Sequence, residues 1–483
     1  MADSRFANRH ERMAFPSSSA HSVRACTAAD VKQSVEPLTP TTIFVTRENK
    51  FKSRKRVAEV RPDFVPIDDY VSQQYVVYPM NQEIPGTLLL DPKVIEDPYP
   101  FYRQLHRHAP VWQVPGTEVF AVSSLALLAE AAGRVEDFSS NMPCLLYRDE
   151  NGLPCRLPFG DSAIPALATA DPPIHTLHRS TVFPNFVAKR MALLEPEIVD
   201  LATRCVERAL DKRSVDFMAE VANVVPITVI SRLIGFRNSD LDRLLRTAFD
   251  STELVGATLS RDRLIELVTR SNDIGAWIAD LLALAANEPG EDILSSIGHG
   301  VEIGALSAPA GIVILQTLLA AGGESTTSLI GNAVRLMADH QDLQQHLCRQ
   351  RELIPNFVEE ALRLESPFRH HLRWVPRDTT LGDVDIPAGA MLMMLWGAAN
   401  RDPAAFERPD EIVLDRPRRH VAFGRDIHFC VGAPLARLEA RVVLTVLLDR
   451  TSSITLDPGQ PPRWVDSLMV RRHEHLPVRL VPR

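Results

Sequence analysis

Read for the positions of its apolar residues, the chain divides into a front stretch without rhythm and a long body with a mainly helical one. From Asp97-Pro98-Tyr99 onward, apolar side chains recur at intervals of three and four, the spacing that places them on one face of an α-helix. The pattern predicts helices over 196–210, 239–249, 263–286 and 308–338. Strands are fewer. Residues 111–122 read as a strand pair, and the runs 381–386 and 391–396, flanking Pro387-Ala388-Gly389, predict a hairpin. The body shows no repeat of 20 to 50 residues and no glycine-rich turn in a strand-turn-helix setting, so neither a solenoid nor a nucleotide-binding domain is expected.

Residues 1–85 lack that rhythm. Ser, Thr and Pro recur irregularly, and Lys50, Lys52, Arg54, Lys55, Arg56 and Arg61 form a basic run. Such a stretch buries too little apolar surface to offset the entropy of ordering it, so a disordered N-terminal extension is expected at 1–85, followed by one catalytic domain at 86–483. The extension holds twelve Lys/Arg against ten Asp/Glu, so the acidity of the chain, net -8, belongs to the body. That charge argues against general nucleic-acid binding.

Composition changes the picture in two further ways. The six cysteines (Cys26, Cys144, Cys155, Cys205, Cys348, Cys430) lie far apart, without the density of a disulfide scaffold or the close pairs of a zinc site, and point to a reducing cytoplasm. The longest apolar candidate, 308–322, is interrupted by Gln316 and Thr317 and falls short of the roughly 20 residues that span a bilayer. The beginning lacks the apolar core of a secretory signal. No membrane anchor is expected.

Several local patterns carry chemistry. Cys430 lies in Phe423-Gly424-Arg425-Asp426-Ile427-His428-Phe429-Cys430-Val431-Gly432-Ala433-Pro434, a glycine-flanked loop opening into the apolar stretch from Leu435 to Leu448. Backbone N–H groups at a helix start favour a thiolate there, able to ligate a metal. In Glu360-Ala361-Leu362-Arg363 the spacing puts a carboxylate and a guanidinium on one helix face, suited to a bidentate pair. The run Ala321-Gly322-Gly323-Glu324-Ser325-Thr326-Thr327 sets glycines, an acid and hydroxyls inside an apolar helix. Interior glycine costs about 1 kcal/mol against alanine, and such rule-breaking marks function; the glycines read as clearing space for a flat ligand, and Glu324 and Ser325 as able to relay protons. In Asp171-Pro172-Pro173-Ile174-His175-Thr176-Leu177-His178-Arg179 the residues His175 and Arg179 stand one turn apart on one helix face and suit an anion, as do Arg373 and His428.

Together, D-P-P-x-H-x-x-x-R, A-G-x-E-[ST]-T, E-x-x-R, A-N-R-D-P (Ala399–Pro403) and F-G-x-x-x-H-x-C-x-G, in this order across about 97–476, resemble the cytochrome P-450 superfamily of heme-thiolate monooxygenases. The resemblance is to the soluble bacterial type, most of all an actinobacterial or mycobacterial subgroup. It implies a mainly α-helical triangular prism with a small β region, with heme b (iron protoporphyrin IX) between the long glycine-bearing helix and the cysteine loop. Carried over, Cys430 is the axial iron ligand, Phe423 and Gly432 belong to its loop, and His175, Arg179, Arg373 and His428 hold the two propionates. Glu360, Arg363 and Arg416 form a structural network; Glu324, Ser325 and Thr326 occupy the proton-delivery segment. The implied partners are a ferredoxin with its NAD(P)H-dependent reductase, O2 and an apolar small molecule.

Two positions depart from the family pattern. Asp426 replaces the second glycine of F-G-x-G-x-H-x-C, and Ser325 stands where threonine is usual. A peroxide-driven heme enzyme, and a non-catalytic heme-binding or sensor protein of the same fold, remain alternatives. Segments 141–170, 315–324, 370–375 and 467–470 are expected to line an apolar pocket.

Overall fold

The computed structural model describes residues 83–160, 163–212, 214–236 and 239–483. The expectation of a disordered extension lies, for residues 1–82, outside them. The helices that position the site are α1 (Ile174–Val182), α2 (Ala188–Leu210), α3 (Val224–Ile234), α4 (Leu241–Glu253), α5 (Arg261–Asn287), α6 (Ala308–Asp339), α7 (Ile354–Leu364) and α8 (Ala433–Arg450). Each predicted helix is present, and α2 continues upstream of the predicted start, through Pro196.

Helix α6 is apolar on almost every side, the signature of a helix buried in the middle of a domain. Ser307 caps it, its hydroxyl accepting the Ala310 N–H at 3.2 Å. Around it pack α3, α4, α5, α7 and α8, while α2 lies along α8. The glycines of α6 mark where its neighbours come close. A Cβ on Gly322 would stand 2.7 Å from Ile230, and one on Gly323 2.6 Å from Ile227, both on α3. The space a Cβ would take at these glycines is therefore filled by α3 side chains, while Gly322 itself stays half-buried beside Ala321.

A four-stranded sheet forms from β1 (Val111–Gln113), β2 (Val119–Val122), β3 (His371–Trp374) and β4 (Met391–Met394), in the order β1-β2-β4-β3. The pair β1/β2 is antiparallel, β2/β4 parallel with Val119 opposite Met391, and β4/β3 antiparallel with Arg373 opposite Leu392. The hairpin predicted across Pro387-Ala388-Gly389 does not form. Thr379–Leu381 pairs instead with Val384–Ile386, turning at Gly382. Strand β4, buried along its whole length, enters the sheet centre and pairs on both sides. A fully buried strand needs partners at both edges for its backbone N–H and C=O groups, and one hairpin neighbour supplies only one. Among the described residues no helix is long and apolar enough to cross a membrane.

Candidate active site

The cysteine loop ends on the first turn of α8, with Pro434 near its start, where a missing N–H costs nothing. The Cys430 N–H donates to Phe423 O at 2.8 Å, closing the loop. Its thiol is half-buried. Desolvation pushes the thiol pKa up, opposed by the backbone N–H groups of Gly432 and Ala433 and by the fields of Arg179 and Arg437. A Cβ on Gly432 would stand 3.8 Å from Cys430 Sγ. Phe423 lies under the Arg437 guanidinium, 4.4 Å from ring centre to Cζ, and beside Phe429. Asp426, in the second-glycine position, has φ +55°, and Gly424 has φ +70°. The loop thus asks for left-handed backbone at both positions, and an aspartate supplies it at one.

On α1, His175 is buried and Arg179 half-buried. The His175 ring lies 4.3 Å from the His428 ring, and His428 Nε2 meets Ser140 Oγ at 2.8 Å. Arg179 donates to Phe429 O at 2.9 Å, which ties α1 to the residue before the cysteine. On β3 the period of two puts His371 and Arg373 on one face. Arg373 is buried, makes no ion pair among the described residues, and is pushed down to about 10 by desolvation, with Asp171 opposing. Burial, then Arg373, His175, Arg179 and His371, push His428 down to about 3. His371, exposed to solvent at the start of β3, is lowered by desolvation from the chain packed around it and by Arg373.

Cationic and ionisable donors therefore converge from α1, β3 and the cysteine loop, each making the next harder to protonate. The acid whose field reaches Arg373, Asp171, already accepts from the Ser139 hydroxyl and, at 2.9 Å, from the Ser140 N–H. Apart from the field of Asp171 on Arg373 and His175, no carboxylate forms an ion pair with this set among the described residues. A flat ligand carrying two carboxylates and an iron to meet one thiolate fits it in charge and donor chemistry.

Along α6, Thr317, Ala321 and Ser325, spaced one turn apart, stay half-buried, as do Gln316 and Gly322 beside them, while Leu318, Leu319, Ala320, Gly323 and Glu324 are buried. Ser325 bonds back to Ala321 O at 2.5 Å. Thr326 is 3% exposed, which takes it off this accessible face and leaves Thr317 and Ser325 as its hydroxyls. Glu324 is 1% exposed and accepts from Arg472 Nε at 2.6 Å. Burial raises its pKa above the ordinary carboxylate value, and Arg472, with a contribution from Thr252, offsets that only in part.

Glu360 and Arg363 form a bidentate pair at 2.8 and 2.9 Å, and Arg416 reaches Glu360 at 3.4 Å. The remaining Arg363 donors go to the carbonyls of Asn400, Pro409 and Glu411. This buried network ties α7 to the segment leading into the cysteine loop, apart from the thiol itself. The motifs did not reveal His371, Arg437 or Arg472. His371 had a signal, since it stands two residues before Arg373 in a strand. Arg472 had none stronger than its place after the segment 467–470.

A family model described as Cytochrome P450 matches residues 312–475. Cytochrome P450 144 of Mycobacterium tuberculosis is 38% identical over 387 residues, 79% of this chain and 88% of that protein. Beta-dihydromenaquinone-9 omega-hydroxylase of the same species is 31% identical over 400 residues, 81% of this chain and 78% of its own length. Among solved structures, that of CYP109E1 from Bacillus megaterium in complex with testosterone is 27% identical with a TM-score of 0.72, covering 81% of this chain and 99% of that one.

Proposed function

The chain belongs to the cytochrome P450 family and is a heme-thiolate monooxygenase with heme b as its cofactor, and from that premise we propose that it inserts one oxygen atom of O2 into an apolar small molecule. We assign its electrons to a separate ferredoxin with an NAD(P)H-dependent reductase, residues 86–483 to one catalytic domain, and the protein to the cytoplasm. When bound, heme ligated by a thiolate supplies the electron density that promotes O–O cleavage.

The chain's own residues prepare that chemistry. The Gly432 and Ala433 N–H groups, with Arg179 and Arg437, favour the anionic form of Cys430, which would hold the heme iron. His175, Arg179, Arg373 and His428 hold the propionates, and His371 adds a further donor: its Nδ1 accepts from Trp396 Nε1 at 2.8 Å, which leaves the hydrogen of the neutral ring on Nε2. Glu360, Arg363 and Arg416 brace the segment before the loop.

The observation that carries the catalytic reading is the half-buried Ser325 hydroxyl on α6, next in sequence to Glu324, whose buried carboxyl is held by Arg472. A positioned hydroxyl backed by an acid is what proton delivery needs, and a protein that only binds heme has no use for the pair. The hydroxylase relative is named for beta-dihydromenaquinone-9, and the solved structure is of a complex with testosterone; both support the assignment of a bulky apolar substrate to this chain.

The test has two stages. Spin-state shifts of the purified protein against a panel of quinones, steroids and terpenes identify a ligand. Product formed per NAD(P)H consumed is then compared for the wild type, Ser325→Ala and Glu324→Gln. Both variants are expected to bind the ligand normally and to divert electrons to peroxide. Unchanged coupling in both removes the two residues from the mechanism; full turnover on hydrogen peroxide alone replaces the electron-transfer partners.

A further inference from the structure

Consecutive acids on α7 take different partners. Glu360 pairs with Arg363 and Arg416, while Glu359 turns to α8 and the segment entering the cysteine loop. The Glu359 carboxylate accepts from Arg437 Nε at 2.7 Å, from Arg437 Nη2 at 2.8 Å and from His420 Nε2 at 2.9 Å. His420 Nδ1 accepts the Ala422 N–H at 3.2 Å, which leaves the hydrogen of that ring on Nε2, facing the carboxylate. We propose that Glu359, backed by His420, is the positioning residue that holds the Arg437 guanidinium over Phe423, and that the positive charge fixed there raises the reduction potential of heme held by Cys430.

The guanidinium is fixed on two sides. Its planar fork matches the carboxylate with two charge-assisted bonds, a geometry a lysine would not reproduce. Its other contact is the Phe423 ring, 4.4 Å from ring centre to Cζ. Phe423 is also the residue whose carbonyl accepts the Cys430 N–H at 2.8 Å, and its ring neighbours those of His420 and Phe429. The cation therefore sits on the residue that closes the ligand loop, and its field reaches the thiol. Reduction makes the iron site one charge more negative, so a fixed cation beside it favours the reduced form.

The Arg437 side chain is 34% exposed, whereas those of Glu359 and His420 are buried. Without an acid behind it, an arginine with that access to water has little to keep it on an aromatic ring. Burial alone would raise the Glu359 pKa, but Arg437 and His420 bring it down to about 2, so the clamp stays charged. Other cations nearby are already taken. Arg441, one turn further along α8, bonds Glu195 at 2.8 Å, and Arg418 bonds Asn356 Oδ1 at 3.0 Å. The opposite charges of Glu359 and Arg437 separate two actions of the acid. Acting by its own field, Glu359 would lower the potential, and its neutralisation would raise it. Acting through Arg437, its neutralisation frees the arginine to water, and the potential falls.

The inference rests on the reading of Cys430 as the heme ligand, and the two fail separately: the CO-bound band of Cys430→Ser tests the ligand, and midpoint potentials test the clamp. Redox titrations of the heme-loaded protein compare the wild type, Arg437→Met, Glu359→Gln and the double variant. Arg437→Met is expected to lose about tenfold in the stability of the reduced over the oxidised form, a fall of about 59 mV. Glu359→Gln should fall too, but less, because the opposing charge goes together with the arginine. The double variant should match Glu359→Gln, where the arginine has already left the ring. A potential above the wild type in Glu359→Gln, a double variant below Glu359→Gln, or no change in Arg437→Met overturns the proposal. Should Glu359→Gln not retain heme, the double variant, free of the unpaired guanidinium, is read in its place. A potential between those of Arg437→Met and the wild type then supports the clamp; a value outside that interval, or loss of heme there as well, overturns it.

Discussion

Asp426 shows how much one backbone angle can say. At φ +55° its Cβ crowds the neighbouring carbonyl, a conformation costing an L-residue about 1 kcal/mol and a glycine almost nothing. Asp426→Gly is therefore expected to slow heme loss, measured as transfer to apomyoglobin, by up to the equivalent of about 1 kcal/mol. Faster loss would show that the carboxylate makes a contact worth more than the strain. Cys430 gives the harsher test. A serine hydroxyl cannot take the anionic form that the Gly432 and Ala433 N–H groups and Arg179 stabilise. Cys430→Ser should lose the red-shifted absorption band of the reduced, CO-bound form, and persistence of that band would remove Cys430 as the ligand.

At the scale of elements, the glycines of α6 are packing devices. Gly323 leaves room for Ile227, whose Cδ1 would stand 2.6 Å from an added Cβ and whose side chain is wholly buried. Gly323→Ala gains about 1 kcal/mol of helix propensity but overpacks a filled contact at a cost of about 1–3 kcal/mol. A lower melting temperature is expected. Ile227→Val removes the clashing atom, so Gly323→Ala/Ile227→Val should melt above Gly323→Ala alone. If the valine adds its own loss instead, the α3–α6 contact is not what the glycine serves. The sheet teaches a related lesson. The alternation in 391–394 fixes which side chains share a face, and burial on both sides then assigns the strand a central place between β2 and β3.

For the whole molecule, the converging donors make cofactor binding a proton-linked event. Without an anion, burial and Arg373 hold His428 near 3. Two carboxylates brought beside it favour its charged ring and raise its value toward the usual His value of about 6.5, whereas His371, whose Nδ1 accepts the Trp396 N–H, stays neutral. Ligation takes one proton from the Cys430 thiol, and His428 takes up part of it near pH 6, so its contribution to affinity rises as pH falls from about 7 toward 5 and the wild type is expected to release less than His428→Asn. Calorimetric titrations of the heme-free proteins in buffers of different ionisation enthalpy measure the difference; equal release by the two would refute it. The heme-free fold has the opposite dependence. Its depressed histidines contribute stability that is present above the unfolded value of about 6.5 and lost as pH falls toward their folded values.

Much of this protein is local in sequence. The helices α6 and α8, the i,i+3 pair Glu360/Arg363 and the loop presenting Cys430 each follow from short-range spacing, because one turn of helix or one tight loop decides which side chains meet. The order of the motifs is local too, and with the fold class it is legible without coordinates. Contacts between distant segments leave no such trace. Glu324 and Arg472 are 148 positions apart, and nothing in the repeat of α6 requires a guanidinium from the C-terminal turn. The occupants of the space beside Gly322 and Gly323, the parallel pairing of β4 with β2, and the place of His371 among the donors were likewise decided by tertiary packing. Periodicity specifies a face, and only the fold supplies what lies against it.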